Sequence, residues 1–499
     1  MTLLTTDSVA PVVMVLGTGS SVGKSTLVAG LCRLLARRGV RVAPFKAQNM
    51  SNNAAVCRGG GEIGRAQYAQ AVAARIEPTV DMNPILLKPQ PTGSQVIVRG
   101  TAVGVQSASD YFGSRRKELW PVVVESLDRL RADYDLVLAE GAGSPAEINL
   151  RERDLTNMRV ALHASADVLL VADIDRGGAF AALLGTWQWL QPAERALVRG
   201  FILNKFRGDA SLLAPAPSLL EERTGVPVVG VVPYLEDLAL PEEDAASLHQ
   251  RLAVSPKVEI AVIRLPHVAN FDEFGPLSME PGVDVRYVTQ PEELRAPDLV
   301  ILPGTKATIP DLDWLHERGL ARRVCWLVEH DTPLLGICGG YQMLGRSVRD
   351  PLGLESTQRG MPGLGLFASD TLLAPEKRLA RVSGTVYVGL PGLWRDVGGA
   401  RVEGYEIHVG RTEVAPTPFV QLATHGDGAV STDGRVAGTY LHGLLESPEI
   451  RQRLVKTLAA RRGFEWSPDG APATDPCDLL ADTLEATLQL DAVPLLSAR

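Results

Sequence analysis

Five apolar residues, Val12 to Leu16, run directly into Gly17-Thr18-Gly19-Ser20-Ser21-Val22-Gly23-Lys24-Ser25. Leu27, Val28, Leu31, Leu34 and Leu35 then recur at helical spacing until Gly39. A buried strand, a glycine-rich loop ending in Lys-Ser and an amphipathic helix form the beginning of an α/β unit. They are also the context that a phosphate-binding loop requires. Loop amides and the helix N-terminus cradle phosphate, the Lys24 ammonium bridges the terminal phosphates, and the Ser25 hydroxyl is placed for Mg²⁺. Gly17 lies one residue earlier than the simple G-x4-G-K-S spacing.

Four more strand-like runs follow at βα spacing: Val40–Phe45, Asp135–Ala139, Val168–Ala172 and Phe201–Asn204, with Val226–Val232 closing the series. Alternating strands and helices predict a mostly parallel sheet wrapped on both faces. Active sites of such sheets gather at the C-terminal strand ends. Three polar features fall there: Lys46 beside the amide-rich Gln48, Asn49, Asn52 and Asn53; Glu140, a strand-end carboxylate able to hold Mg²⁺ opposite Ser25; and Asn204. The amide-rich stretch reads as too polar for a core, and Gly60–Gln67 as the start of a helix. Asp81-Met-Asn-Pro is a further polar segment with no derived role.

From Leu235 to Lys257 the chain turns acidic and loses its strand pattern. We place the P-loop unit at 1–240, a linker at 241–257, a second α/β domain at 258–450 and a helical extension at 451–499. Residues 381–388 and 404–409 alternate as antiparallel strands do. Ser447 is positioned to cap a helix opened by Pro448. Residues beyond about 464 look peripheral.

In the second domain Leu334, Leu335 and Ile337 form a short apolar run, and Gly336, Gly339 and Gly340 bracket Cys338. A nucleophile between small residues, at a strand-to-helix junction, is an elbow. The Gly339 amide can then face a developing oxyanion. Val436-Ala-Gly-Thr-Tyr-Leu-His442-Gly443 delivers a base, and a Cys–His pair suits attack on an amide. Gly336-Ile-Cys-Gly-Gly-Tyr-Gln with Tyr440-Leu-His-Gly resembles the class I glutamine amidotransferases. Leu302-Pro303-Gly304 sits where that family places its other oxyanion-hole glycine. The family's usual acid falls two residues after the His, where this chain has Leu444. Glu446 is at the wrong offset, so the group orienting His442 is unassigned.

The longer loop variant ending in Lys24-Ser25, with Glu140-Gly-Ala-Gly, resembles dethiobiotin synthetase and its ATP-dependent relatives. That likeness implies Asn204 at the adenine. The pattern of the whole chain is similar to the cobyric acid synthase family. Its carriers include Phe45-Lys-Ala-Gln-Asn-Met-Ser-Asn-Asn-Ala, Gly61-Glu-Ile-Gly-Arg-Ala-Gln, Asp173-Ile-Asp-Arg-Gly-Gly and Gly404-Tyr-Glu-Ile-His. The resemblance implies ATP, Mg²⁺ and glutamine as cosubstrates, Lys46, Gln48 and Asn49 at substrate or phosphate, and Glu62 joining Ser25 and Glu140 at the metal. It implies amidation of the b, d, e and g carboxylates of adenosylcobyrinic acid a,c-diamide. Amidation of another acid stays open (the a,c carboxylates, or a cell-wall precursor). So does a partition-type ATPase switch whose amidotransferase-like domain only binds a partner.

Bulk numbers exclude more than they assign. With 499 residues the chain exceeds one core. The formal net charge of −8 disfavours nucleic acid or anionic membrane as a general partner. Five scattered Cys without a CxxC pair disfavour a disulfide framework or zinc site. Without a leader pattern at Met1–Ala10 or a long apolar run, a cytoplasmic setting is expected. Oligomeric state is left open.

Overall fold

The computed structural model describes residues 9–91, 93–107, 110–111, 116–235, 238, 256–412, 417–468 and 475–497. The acidic linker at 241–257 therefore lies almost wholly outside the described residues.

The first unit is a six-stranded sheet in which every strand pairing is parallel. Its order is Val228–Pro233, Val198–Phe206, Asp167–Asp173, Val12–Gly17, Leu136–Glu140, Val42–Phe45. Alternation along the central strand decides its burial. Val12, Met14 and Leu16 enter one core, while Val13 and Val15 enter the other. A strand apolar on both sides must be covered on both sides. Helix Lys24–Arg37 covers one face; Val123, Leu127 and Leu183 belong to helices on the other.

The segment after 464 is not peripheral, as its sequence had suggested. Helix Pro476–Thr487 returns to the first unit and packs along Lys24–Arg37. Cys477, Leu480, Ala481 and Leu484, spaced i, i+3, i+4 and i+7, are its buried stripe. Gly30 makes the close approach possible, since a Cβ there would stand 2.6 Å from Leu480 Cγ and Leu484 Cδ1. Arg33 pairs with Asp475 at 3.0 Å and Arg37 with Asp482 at 2.6 Å.

Between the central strands the chain builds small sheets at the C-terminal edge. Gln48–Met50 pairs with Ile85–Gln90, and Ala54–Val56 with Glu62–Gly64. The amide-rich stretch is therefore buried, contrary to its composition. Lys46, Gln48, Asn49 and Asn53 are each under 9% exposed; Gln48 accepts from Tyr111 and Asn49 donates to Gln67 inside the fold. The helix expected from Gly60 begins only at Arg65, after the strand.

The second unit has its own sheet, ordered Val283–Val288, Val258–Ile263, Leu299–Leu302, Leu334–Ile337, Val436–Thr439, Ala429–Val430, antiparallel only at the last pair. A second, antiparallel sheet contains Arg378–Val386, Arg401–His408 and Leu441–His442. The chain changes sheets within Thr439–Leu441. Buried Asp427 holds that corner by accepting from Thr439 Oγ1 and the Tyr440 amide. Ser447 heads helix Pro448–Arg461, but its hydroxyl donates to Arg401 O at 3.1 Å instead of capping the helix. No helix among the described residues is long and apolar enough to cross a membrane.

The two units meet on an apolar cluster that includes Ala54, Val56, Tyr405 and Ile407. Ion pairs close the rim: Arg65 with Asp272 (2.6 Å) and Glu446, Arg381 with Glu77 (2.8 Å), and Lys377 with Glu62.

Candidate functional site

The elbow is formed as its residues predict. Cys338 follows strand Leu334–Ile337 and heads the short helix Gly339–Met343 at φ 52, ψ −110, a left-handed backbone that a non-glycine residue adopts only under constraint. The Cys338 amide donates to Thr439 O at 2.8 Å, and Gln342 N donates back to Cys338 O at 3.0 Å. Gly340 permits the tight turn: a Cβ there would lie 1.9 Å from Leu302 O. Gly304 abuts both side chains, with a Cβ position 2.9 Å from His442 Cε1 and 3.6 Å from Cys338 Cβ. Gly339 packs against Thr305, the residue after Gly304. The two expected oxyanion-hole glycines are thus brought to the nucleophile from separate loops.

The acid missing from the sequence reading is Glu273. From the short turn Phe271–Phe274, its Oε1 takes His442 Nδ1 at 3.0 Å and its Oε2 takes the Gly443 amide at 3.1 Å. Both Glu273 and His442 are essentially inaccessible to water. Burial opposes charge on His442, but Glu273 and the Cys338 sulfur outweigh it and push the imidazole up to about 10. Tyr405 stacks on the ring at 5.4 Å. Glu446 pairs with Arg65 instead. A pocket opens beside Cys338, lined by Gly304, Lys306, Gln342, Glu355, His442 and, from the first unit, Lys88. Burial raises the Glu355 carboxyl and pulls the Lys306 amine down to about 8.

The second cluster sits at the strand ends of the first unit. Glu140, fully buried, accepts from Ser25 Oγ at 3.2 Å and from the Gln67 and Gln70 amides at 2.9 and 3.1 Å. Lys46 Nζ lies 2.9 Å from the same carboxylate. Lys24 Nζ donates to Gly19 O and Gly143 O, curled over its own loop. Ser25 and Glu140 are hard oxygen donors of the kind Mg²⁺ takes together with substrate phosphate, so the residues fit that ion.

The structure distributes the other candidates unevenly. Gly17, Gly23 and Lys24 form the loop, whose Thr18 amide is spent on Val171 O at 2.8 Å. Asn204 braces the loop from beneath, donating to Val22 O at 2.8 Å. Gln48 accepts from Tyr111, and Asn49 donates to Gln67, which itself holds Glu140. Asn83, from the unassigned Asp81 segment, bonds Lys46 O and the Gly64 amide. Glu62 is not brought to Ser25 and Glu140. Its two oxygens hold Lys88 (2.6 Å) and Lys377 across the seam, and these pairs pull its carboxyl down to about 2 against the effect of burial. That engagement removes Glu62 from the expected metal set.

A P-loop sheet joined to a Cys–His–Glu amidase elbow defines a glutamine-dependent ligase. Residues 13–248 match the CobQ/CobB/MinD/ParA nucleotide-binding domain, and residues 259–450 the CobB/CobQ-like glutamine amidotransferase domain. A cobyric acid synthase of Chloroflexus aurantiacus is 50% identical over 493 residues, covering 96% of this chain and 97% of that one. That of Sorangium cellulosum is 49% identical over 503 residues, covering 95% and 96%. The chain belongs to the cobyric acid synthase family.

Proposed function

We propose that this chain makes cobyric acid in cobalamin biosynthesis. It amidates the b, d, e and g carboxylates of adenosylcobyrinic acid a,c-diamide, using one ATP and one glutamine per amide. The observation that carries this reading is a complete glutaminase triad and a phosphate loop facing a buried carboxylate, in one chain matching that family end to end.

In the glutaminase step Cys338 Sγ yields its proton to His442 Nε2 and attacks the side-chain amide carbon of glutamine. The oxyanion develops between the Gly304 and Gly339 amides. His442 passes the proton to the leaving nitrogen, ammonia departs, and a thioester remains on Cys338. Water, deprotonated by His442, releases glutamate and restores the thiol. Lys306 and Glu355 offer opposite charges to the carboxylate and ammonium of the free amino acid.

In the synthetase step a substrate carboxylate oxygen attacks the terminal phosphorus of ATP, giving an acyl phosphate and ADP. Ammonia then attacks the acyl carbon and phosphate leaves with the bridging oxygen. Lys24 and the loop amides steady the phosphates, and Lys46 neutralises the reacting carboxylate. Ser25 and Glu140 would hold Mg²⁺, which shields phosphate charge when bound.

Incubating candidate corrinoid acids with ATP, Mg²⁺ and glutamine, followed by mass spectrometry, tests the assignment. We expect up to four successive losses of about one dalton from the a,c-diamide, since each step replaces OH by NH₂. Two amides added only to unamidated cobyrinic acid would place the activity on the a,c carboxylates instead.

A further inference from the structure

Asn270 joins the catalytic base to the other unit through a single side chain. It is buried, 3% exposed, and held at φ 55. Its Oδ1 accepts the Ala54 amide of strand Ala54–Val56 at 2.9 Å, and its Nδ2 lies 3.3 Å from His442 Nε2.

A backbone N–H can only donate. The Ala54 amide therefore fixes Oδ1 toward itself and leaves Nδ2, another donor, facing the imidazole. This arrangement favours an Nε2 lone pair, with the ring proton on Nδ1 toward Glu273, so Asn270 works against the imidazolium that Glu273 and the Cys338 sulfur favour. The Nε2 lone pair belongs to the neutral tautomer that can take the Cys338 proton. An imidazolium, protonated on Nε2, would meet Nδ2 donor to donor. If strand Ala54–Val56 withdrew, the amide could turn over and offer Oδ1 to Nε2–H, favouring the thiolate–imidazolium pair.

We propose that Asn270 is a positioning residue that senses the docking of strand Ala54–Val56 and sets the protonation state of His442. The strand continues directly from the Lys46–Asn53 stretch beside Glu140, so the phosphate edge and the glutaminase base share one short connection. Other groups facing His442 are Glu273, Cys338 and Tyr405, with Arg65 5.9 Å from the Tyr405 ring centre and paired with Asp272 and Glu446. None of these is altered by changing Asn270. The inference rests on the glutaminase reading of Cys338 and His442.

The test uses the full-length protein and the pH dependence of iodoacetamide alkylation at Cys338, with Cys338→Ser as the blank. Asn270→Ala removes the opposing donor, and near-isosteric Asn270→Asp offers Nε2–H an acceptor. Both should raise the alkylation rate at pH 6 by roughly tenfold, equivalent to about one unit in the thiol midpoint. Ammonium-dependent amidation reports an intact fold in each variant, and Asn270→Asp decides should the alanine variant not fold. An unchanged alkylation profile in folded Asn270→Asp overturns the proposal. A wild-type Cys338 inert both to alkylation and to a reactive glutamine analogue would instead overturn the glutaminase reading beneath it.

Discussion

Replacing Glu273 by Gln should disable the glutaminase while sparing the synthetase. Glu273 makes two hydrogen bonds, to His442 Nδ1 and the Gly443 amide, and is itself fully buried. It is also the strongest charge effect raising the His442 imidazole to about 10, against burial. A hydrogen bond between charged partners is worth roughly 1.5–3 kcal/mol, or about one to two decades in the population of imidazolium. A glutamine amide adds a second injury, because its NH₂ can donate to Nδ1 and select the tautomer with the proton on Nε2. We therefore expect glutaminase kcat to fall by about 10²-fold or more, with KM for glutamine nearly unchanged. The sign with pH is fixed as well. A raised folded-state value means that Glu273 biases His442 toward the imidazolium above its ordinary range near 6.5, and that bias should shrink in the variant. The assay is glutamate release across pH, alongside amidation driven by ammonium salt. Glutamate release within threefold of wild type would refute the orienting role of Glu273.

Cys338→Ser should abolish glutamine-dependent amidation yet leave ammonium-dependent amidation largely intact; equal loss of both in a folded variant would deny two separate sites. Lys24→Ala should slow ADP formation by roughly 10²-fold or more with either nitrogen source, read by a coupled ATPase assay. Glu62→Gln strips a buried carboxylate from Lys88 and Lys377 and should lower stability by about 3–5 kcal/mol in urea denaturation. The wild-type Glu62 contribution should be present above pH ~4.5 and fade as pH falls toward 2, because its folded value is depressed.

Features written by local backbone chemistry were readable from the sequence. The elbow around Cys338 and the loop ending in Lys24-Ser25 need small residues at fixed offsets, so spacing alone exposes them. Glu273 escaped because its bond to His442 spans 169 positions, and nothing near the histidine points to it. A faint signal existed: an Asp-Glu pair flanked by Phe271 and Phe274, both buried, is an odd place for charge. The amide-rich stretch misled through composition, since Gln48 bonds Tyr111 and Asn49 bonds Gln67 inside the fold instead of meeting water. Glu62 was misplaced for a related reason: its lysine partners come from distant strands and from the other unit. The stripe Cys477, Leu480, Ala481, Leu484 was legible as an amphipathic helix, whereas the surface it covers was not.

That last helix has a consequence for how the protein is made. Ribosomes emit the chain from its beginning, at roughly 5–20 residues per second. The ~450 residues between Gly30 and Leu480 thus take on the order of 20–90 s to appear. Throughout that interval the apolar groove along Lys24–Arg37 lacks its final cover. The first unit can form its sheet early but can complete its core only after the whole second unit has emerged. A prematurely ended chain would carry both candidate site clusters and still present an open apolar seam, the kind of surface by which incomplete chains are recognised and removed.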